Sequence, residues 1–382
     1  MDIRPPVRKP VPRPIETLPP PVTTPPVDQP TETPEPPLRR RRAALWVSIL
    51  TGLLALILLA CGGWYAWSLT PVDPNDPQQI RFVINPGDGS ADIASSLESH
   101  GLIRSSLAFR IYNEFSGTKG ELQAGGFALS PAQSLSDIVN HLVQGKTDEM
   151  SVIVLPGLTL KQLADPEIRS SLAWQGFSEQ EIKDAFADNY EHPLLAGRPR
   201  EATLEGYVFP ETYRVNASDS LSTVLKMSFD EVYERLQKDG LVEKFKAQGL
   251  NLYQAMTLAS IVGKEVSDPK DQRQVAQVFL RRLKLDMPLG SDPTFIYAAD
   301  QLGVEPTINI DSPYNTRRYG GLPPGPIANM NYSALQAVAN PAPGDYLYFV
   351  SGDGDDAGKT FFSRTEEEHH ANIEAHCHEI CR

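Results

Sequence analysis

The feature that most constrains this chain is AALWVSILTGLLALILLACGGWYAW, Ala43 to Trp67, a run without one charged residue. An uncharged apolar run longer than about 18 residues is long enough to cross a bilayer core as a single helix. Arg39 to Arg42 precede it directly, and positive flanks stay on the cytoplasmic side, so the N-terminus is expected inside and everything after about Ser68 outside. Trp64, Tyr65 and Trp67 fall where an outer interfacial belt of aromatic rings is expected. A cleaved signal peptide would begin with a short basic region, whereas this run follows a long Pro-rich stretch. LLAC, ending at Cys61, has a faint likeness to a lipoprotein processing site, but a Cys within an apolar helix ordinarily packs.

Upstream, residues 1–42 read as a cytoplasmic tail in which prolines recur with almost no bulky apolar residues between them. Such a segment cannot bury enough surface to offset its ordering entropy, so an extended, partly polyproline II tail is expected, serving as a spacer or as a docking site. The tail is basic while the whole chain carries a net charge of −13, which leaves the outer part strongly acidic. That balance argues against nucleic acid as a partner and against tight binding to anionic lipid. Three cysteines in 382 residues make no disulfide framework. Cys377 and Cys381 close the chain in HCHEIC, where zinc on His376, Cys377, His378 and Cys381, a local disulfide, or a plain tail over 373–382 are the open readings. The crowded spacing lacks the separation of paired zinc ligands, and neither a metal nor a cofactor is expected.

Residues 68–79, rich in Pro and Asp, read as a short stiff linker. Beyond it IRFVINPGDGSADIASSL, from Ile80, is echoed by MSVIVLPGLTLKQLA, from Met150, each a strand-like run, a Pro-Gly and an amphipathic stretch. The change from period two to period 3.6 predicts strand, tight turn and helix in both copies. Helical spacing over 105–115 and 134–143 and a strand over 121–129 lie between them. The fold class expected is therefore α+β, with an α/β module at 80–200 similar to LysM modules, which hold polysaccharide chains; a module that merely packs is the plainer alternative.

From 201 onward a second, mixed α/β domain is expected up to 372. Ser178 and Glu181 form a capping box for a helix through Ala187, LEGYVFPETYRV (Leu204 to Val215) reads as an aromatic-rich strand and turn, and a long helix runs from about Leu221 to Lys238. No phosphate loop, zinc-protease signature or nucleophile elbow occurs, so chemistry must come from acids, amides and hydroxyls. LASIVGKEVSDPKDQ, Leu258 to Gln272, stands out. Leu252, Ala255, Ala259, Val262 and Val266 share one helical face, and Glu265 comes at the end of that buried helix. The negative end of the helix dipole and burial both favour a protonated carboxyl, which suits a general acid. A surface position, or a pairing with Lys264 or Arg273, is the ordinary alternative.

Together with VFLRRLKLDMPLGSDPTFIY (Val278 to Tyr297), SPYNTRRYGGLPPGPIAN (Ser312 to Asn329), ALQAVANPAPGDYLYFV (Ala334 to Val350) and KTFFSRTEEEH (Lys359 to His369), these segments closely resemble the MltG/YceG-like family of endolytic murein transglycosylases. The resemblance implies a single-pass protein of the bacterial inner membrane with a LysM-like module and a catalytic domain outside, cutting nascent peptidoglycan strands beside peptidoglycan synthases and other wall-elongation proteins. The family's catalytic glutamate is the second acid of A-S-I-V-E-K-E, which here is Glu265. The chain departs from the pattern at Gly263, where the family has its first glutamate, at Leu155-Pro156-Gly157, where Pro-Glu-Gly is usual, and at Thr360, where a histidine is common.

A lytic transglycosylase needs no water, because the C6 hydroxyl of the muramic sugar attacks its own anomeric carbon and closes a 1,6-anhydro ring. The resemblance thus assigns Glu265 to protonate the leaving oxygen and then take the proton from that hydroxyl. Asp292, Thr294 and Tyr297 in SDPTFIY, and Tyr314, Asn315 and Thr316 in SPYNT, are the candidates for holding sugar or supporting the acid. GLPPGP (Gly321 to Pro326) reads as a rigid wall, and Glu205 as a weaker candidate, since a strand-end carboxylate is usually at the surface. Two other functions compete: a non-catalytic glycan-binding scaffold, favoured by Gly263, and a hydrolase using Asp292 or Glu205 as second carboxylate.

Overall fold

The computed structural model describes residues 38–165, 167 and 176–379, with side chains from Leu45 onward. The Pro-rich tail before residue 38, the side chains of Arg39 to Arg42 and Cys381 lie outside the described residues. The chain divides into two units at Gly62 and Gly63. Helix α1, Leu38–Ser68, dominates the first, and its stretch Leu45–Ser68 is the one helix among the described residues long and apolar enough to cross a membrane. Its leucines and isoleucines are exposed, and Cys61 is a free thiol.

The second unit contains two hydrophobic cores. The smaller belongs to β1 (Ile80–Ile84), α2 (Ser90–Ser99), α3 (Ser106–Phe115), β2 (Gly125–Leu129) and α4 (Leu135–Gln144), with β1 and β2 antiparallel. Phe82, Leu97, Phe109, Phe127 and Ile138 fill it. Ser105 and Ser134 cap α3 and α4, as the serines at those helix starts lead one to expect. Residues 68–79, expected as a linker, run along this module. Arg104 lies 4.6 Å over the Trp67 ring and donates to the carbonyls of Pro71 and Val72, and Ser130 Oγ donates to the carbonyl of Asp76 at 2.8 Å.

The larger core begins at β3 (Glu149–Ile153), which pairs antiparallel with β4 (Thr212–Asn216). It continues through α5 (Leu160–Ala164), α6 (Glu179–Ala187), α7 (Leu221–Lys238), α8 (Leu241–Ala247), α9 (Leu252–Glu265), α10 (Pro269–Lys284), α11 (Asp292–Leu302) and α12 (Tyr332–Ala339). A hairpin of β5 (Tyr348–Ser351) and β6 (Thr360–Ser363) and helix α13 (Glu366–His376) complete it. The expected module at 80–200 therefore spans both cores. The two Pro-Gly echoes do adopt the same strand, turn and helix, with Gly87 at φ 99° and Gly157 at φ 78°. The last element runs through 372 to His376, and Cys377 just beyond it is buried and disulfide-bonded.

The cores meet at a tight joint. Arg81, buried on β1, donates to the carbonyls of Ala217, Gly176 and Asp219 and to Glu181, with its guanidinium 4.4 Å over the Phe177 ring. Beside it, a Cβ on Gly126 would lie 2.0 Å from the Ser218 nitrogen, so only glycine allows this approach of two backbones.

Candidate active site

Helix α9 is buried on nearly all sides, since α8, α10, α11 and α12 surround it. An Asn251–Gln254 capping box starts it, and it stops where Val266 turns extended. Asp268 then accepts the N–H groups of Lys270 and Asp271 to open α10, and Gln272 Nε2 donates to the Val266 carbonyl at 3.0 Å. This short, bonded turn fixes Glu265, the last residue of α9, at the edge of the core with part of its side chain open to solvent.

Glu265 Oε1 accepts a hydrogen bond from Ser291 Oγ at 2.5 Å. Burial pushes its carboxyl up to about 7, the Asp292 charge adds to the rise, and the Ser291 bond with the guanidinium groups of Arg317 and Arg282 oppose it. The pairings with Lys264 and Arg273 are not the ones the fold makes. Lys264 Nζ reaches the Gly157 carbonyl and Arg273 Nε the Asn340 carbonyl.

The other candidates divide by exposure. Asp292 is exposed and ion-paired with Arg317. Tyr314 is half-buried, its ring 5.0 Å from that of Tyr297. Thr294, Asn315 and Thr316 are buried and bonded within the protein, so they stand behind the site surface. Thr294 Oγ1 donates to the Ser291 carbonyl at 2.6 Å, and Thr316 Oγ1 accepts the Ser291 N–H at 3.1 Å. Asn315 Nδ2 donates to the carbonyls of Ile308 and Ile310, both at 2.9 Å, closing the loop that brings Thr316 in. Tyr297 turns inward to Glu205. The GLPPGP segment is anchored from behind, where Tyr253 Oη donates to the Pro324 carbonyl at 2.8 Å.

Glu205 is not the surface carboxylate that its place in the chain suggests. It is 4% exposed, because the segment Leu204 to Glu211 is a turn and only Thr212–Asn216 forms a strand. Gly206, at φ 82°, packs so closely on Pro326 that a Cβ would lie 2.4 Å away. Sequence reading also passed over Ser291, Arg317 and Arg282. A serine directly before Asp-Pro marks a helix N-cap, and that signal could have drawn attention to Ser291. The arginines carry no comparable local signal.

Fold and site together define an α+β protein with one partly exposed carboxyl, pushed up to about 7, at the end of a buried helix. The model of the YceG-like family matches residues 82–375, and the chain belongs to that family. An endolytic murein transglycosylase of Bacillus subtilis strain 168 is 32% identical, covering 81% of this chain and 89% of its own length. The endolytic murein transglycosylases of Streptococcus pneumoniae strains D39 and R6 are each 29% identical over 86% of this chain, which spans 65% of their length. The crystal structure of a yceG-like protein from Listeria monocytogenes aligns with a TM-score of 0.49 at 30% identity, covering 77% of this chain and 98% of that one.

Proposed function

We propose that the protein is a membrane-anchored endolytic transglycosylase that cuts nascent peptidoglycan strands and leaves 1,6-anhydro-muramic ends. The observation that carries this reading is Glu265, a carboxyl at the end of a buried helix, bonded to Ser291 and pushed up to about 7, with part of it facing solvent. Protonated, it serves as acid to the glycosidic oxygen. Once ionised, with Ser291 and the cations of Arg317 and Arg282 favouring the charge, it serves as base to the C6 hydroxyl. Tyr314 offers a ring face and Asp292 an acceptor for the sugars, while Thr294, Tyr297, Asn315 and Thr316 keep the acid and its donor in place. The smaller module, with its βααβ order, is read as LysM-like and as a hold on the same strand. With α1 as anchor and its arginines inside, the site works on the outer face, where strands emerge from the synthases.

The scaffold reading draws on Gly263, where a Cβ would meet Ala334 and Met330 at ordinary distances of 3.5 and 3.6 Å. Full-length protein in detergent, incubated with uncrosslinked strands, tests the choice. Internal cuts with anhydro ends, absent in Glu265→Gln, support the enzyme. Bound but intact strands support the scaffold, and reducing ends support a hydrolase.

A further inference from the structure

Glu205 is the second carboxyl that burial pushes up to about 7, and the proposed chemistry gives it no step. At 4% exposure it presents no oxygen to a glycan. Both its oxygens lie 3.2 Å from the N–H of Leu160, the first residue of α5, and Tyr297 Oη donates to Oε2 at 3.4 Å. Tyr297 belongs to α11, as does Asp300, which pairs with Lys161 of α5 at 2.8 Å. So α11 is tied to α5 through its middle and last turn.

The opposite end of α11 is where Glu265 is held. Its N-cap residue, Ser291, donates to Glu265, and the Ser291 backbone is gripped by Thr294 and Thr316. From Ser291 to Tyr297 is a rise of about 9 Å along the helix. The Tyr297 ring also packs on Tyr314, whose neighbours Asn315 and Thr316 lead back to Ser291. Two routes, one along the helix and one through the 312–316 segment, thus run from Glu205 to the donor on Glu265.

We infer that Glu205 is a positioning residue for Glu265, which through Tyr297 locks α11 and the 312–316 segment so that Ser291 stays bonded to the catalytic carboxyl. Only the expected change in cutting rests on the proposed function. A bond from Tyr297 that merely stabilised the fold would leave the protonation of Glu265 unchanged.

The test uses full-length protein in detergent with Tyr297→Phe, which keeps the ring and deletes the hydroxyl, and with Glu205→Gln. A diazo reagent esterifies protonated carboxyls, and mass spectrometry maps the ester on Glu265 from pH 5 to 9, beside cutting rates and melting temperatures. Wild-type labelling should fall with a midpoint at about 7. Both variants should raise that midpoint by about half a pH unit or more, because a loosened Ser291 withdraws a bond that favours the charged form. Cutting should slow roughly tenfold in kcat with KM unchanged. An unmoved midpoint in both variants overturns the inference, whatever the cutting rate. A moved midpoint in a protein that never cuts strands upholds the positioning role and overturns the reading of Glu265 as a catalytic acid. Loss of one hydrogen bond removes about 1 kcal/mol, so Tyr297→Phe remains folded and readable.

Discussion

Ser291 Oγ lies 2.5 Å from Glu265 Oε1, and the same serine makes no side-chain bond to the helix it begins. A serine at an N-cap ordinarily accepts a backbone N–H and stabilises its helix by about 1 kcal/mol. Here Pro293 occupies the first turn and the hydroxyl is turned to the carboxyl on the neighbouring helix. Local rules are given up in this way most often at functional or strained positions.

That diversion makes Ser291→Ala an informative variant. No cap is lost, so the melting temperature should stay within about 3 °C of wild type. The bond that favours ionised Glu265 is lost, so its carboxyl should titrate higher. The pH–rate profile should shift to higher pH and kcat should fall about tenfold, with KM unchanged.

On the proposed role of Glu265 as proton donor, Glu265→Gln should lower cutting by about 10²–10⁴-fold. Its effect on stability has a sign set by pH. The folded carboxyl, at about 7, lies above its ordinary value of 4.5, so the stability gained from its protonation is full below 4.5 and is lost as pH rises through 7. Glutamine escapes that loss. The variant should therefore melt higher than wild type at pH 8, by about 1–3 kcal/mol of stability, and no higher at pH 4.5. Thermal melts at both pH values check the sign, and equal melting at pH 8 would contradict it.

Much of the scaffold was legible in the chain because its signals are local. The Ser178–Glu181 capping box, the helix Leu221–Lys238 and the apolar run into Glu265 all depend on neighbours within a few residues. What was not legible depends on distant partners. Glu205 is buried by Leu160 and Tyr297, and Arg81 bonds carbonyls near residues 176 and 217. Thr294 and Thr316 were candidates for holding sugar or for supporting the acid, and only the fold shows them facing each other at 2.9 Å in the interior. Residue type told which groups could bond, and only the fold decided with whom.

Tyr314 is the half-buried aromatic of the site, with Tyr297 behind it and burial pushing its hydroxyl up to about 12. If its face carries a sugar, Tyr314→Ala should raise KM about tenfold while kcat changes less than threefold, and Tyr314→Phe should behave as wild type. Kinetics on uncrosslinked strands separate the cases. An equal fall in kcat for Tyr314→Ala would mean that its packing on Tyr297, in support of α11, outweighs any hold on the sugar.

The joint between the two cores offers a prediction that needs no substrate. Gly126 lies against the Ala217–Ser218 backbone, where an added Cβ would stand 2.0 Å from a nitrogen and 2.2 Å from a carbonyl carbon. Backbone on both sides cannot rotate away as a side chain could, so Gly126→Ala must part the strands or shift the smaller module. The shift would disturb Arg81, whose guanidinium satisfies the carbonyls of Ala217, Gly176 and Asp219 a few residues away. Overpacking of this kind costs about 1–3 kcal/mol, and unpaired buried carbonyls would add to it. The expected outcome is a lower melting temperature with earlier proteolytic cleavage between Gly145 and Glu149, where the chain passes from one core to the other. Arg81→Met should give the same cleavage pattern. Unchanged proteolysis in both variants would mean that the two cores hold together without this joint.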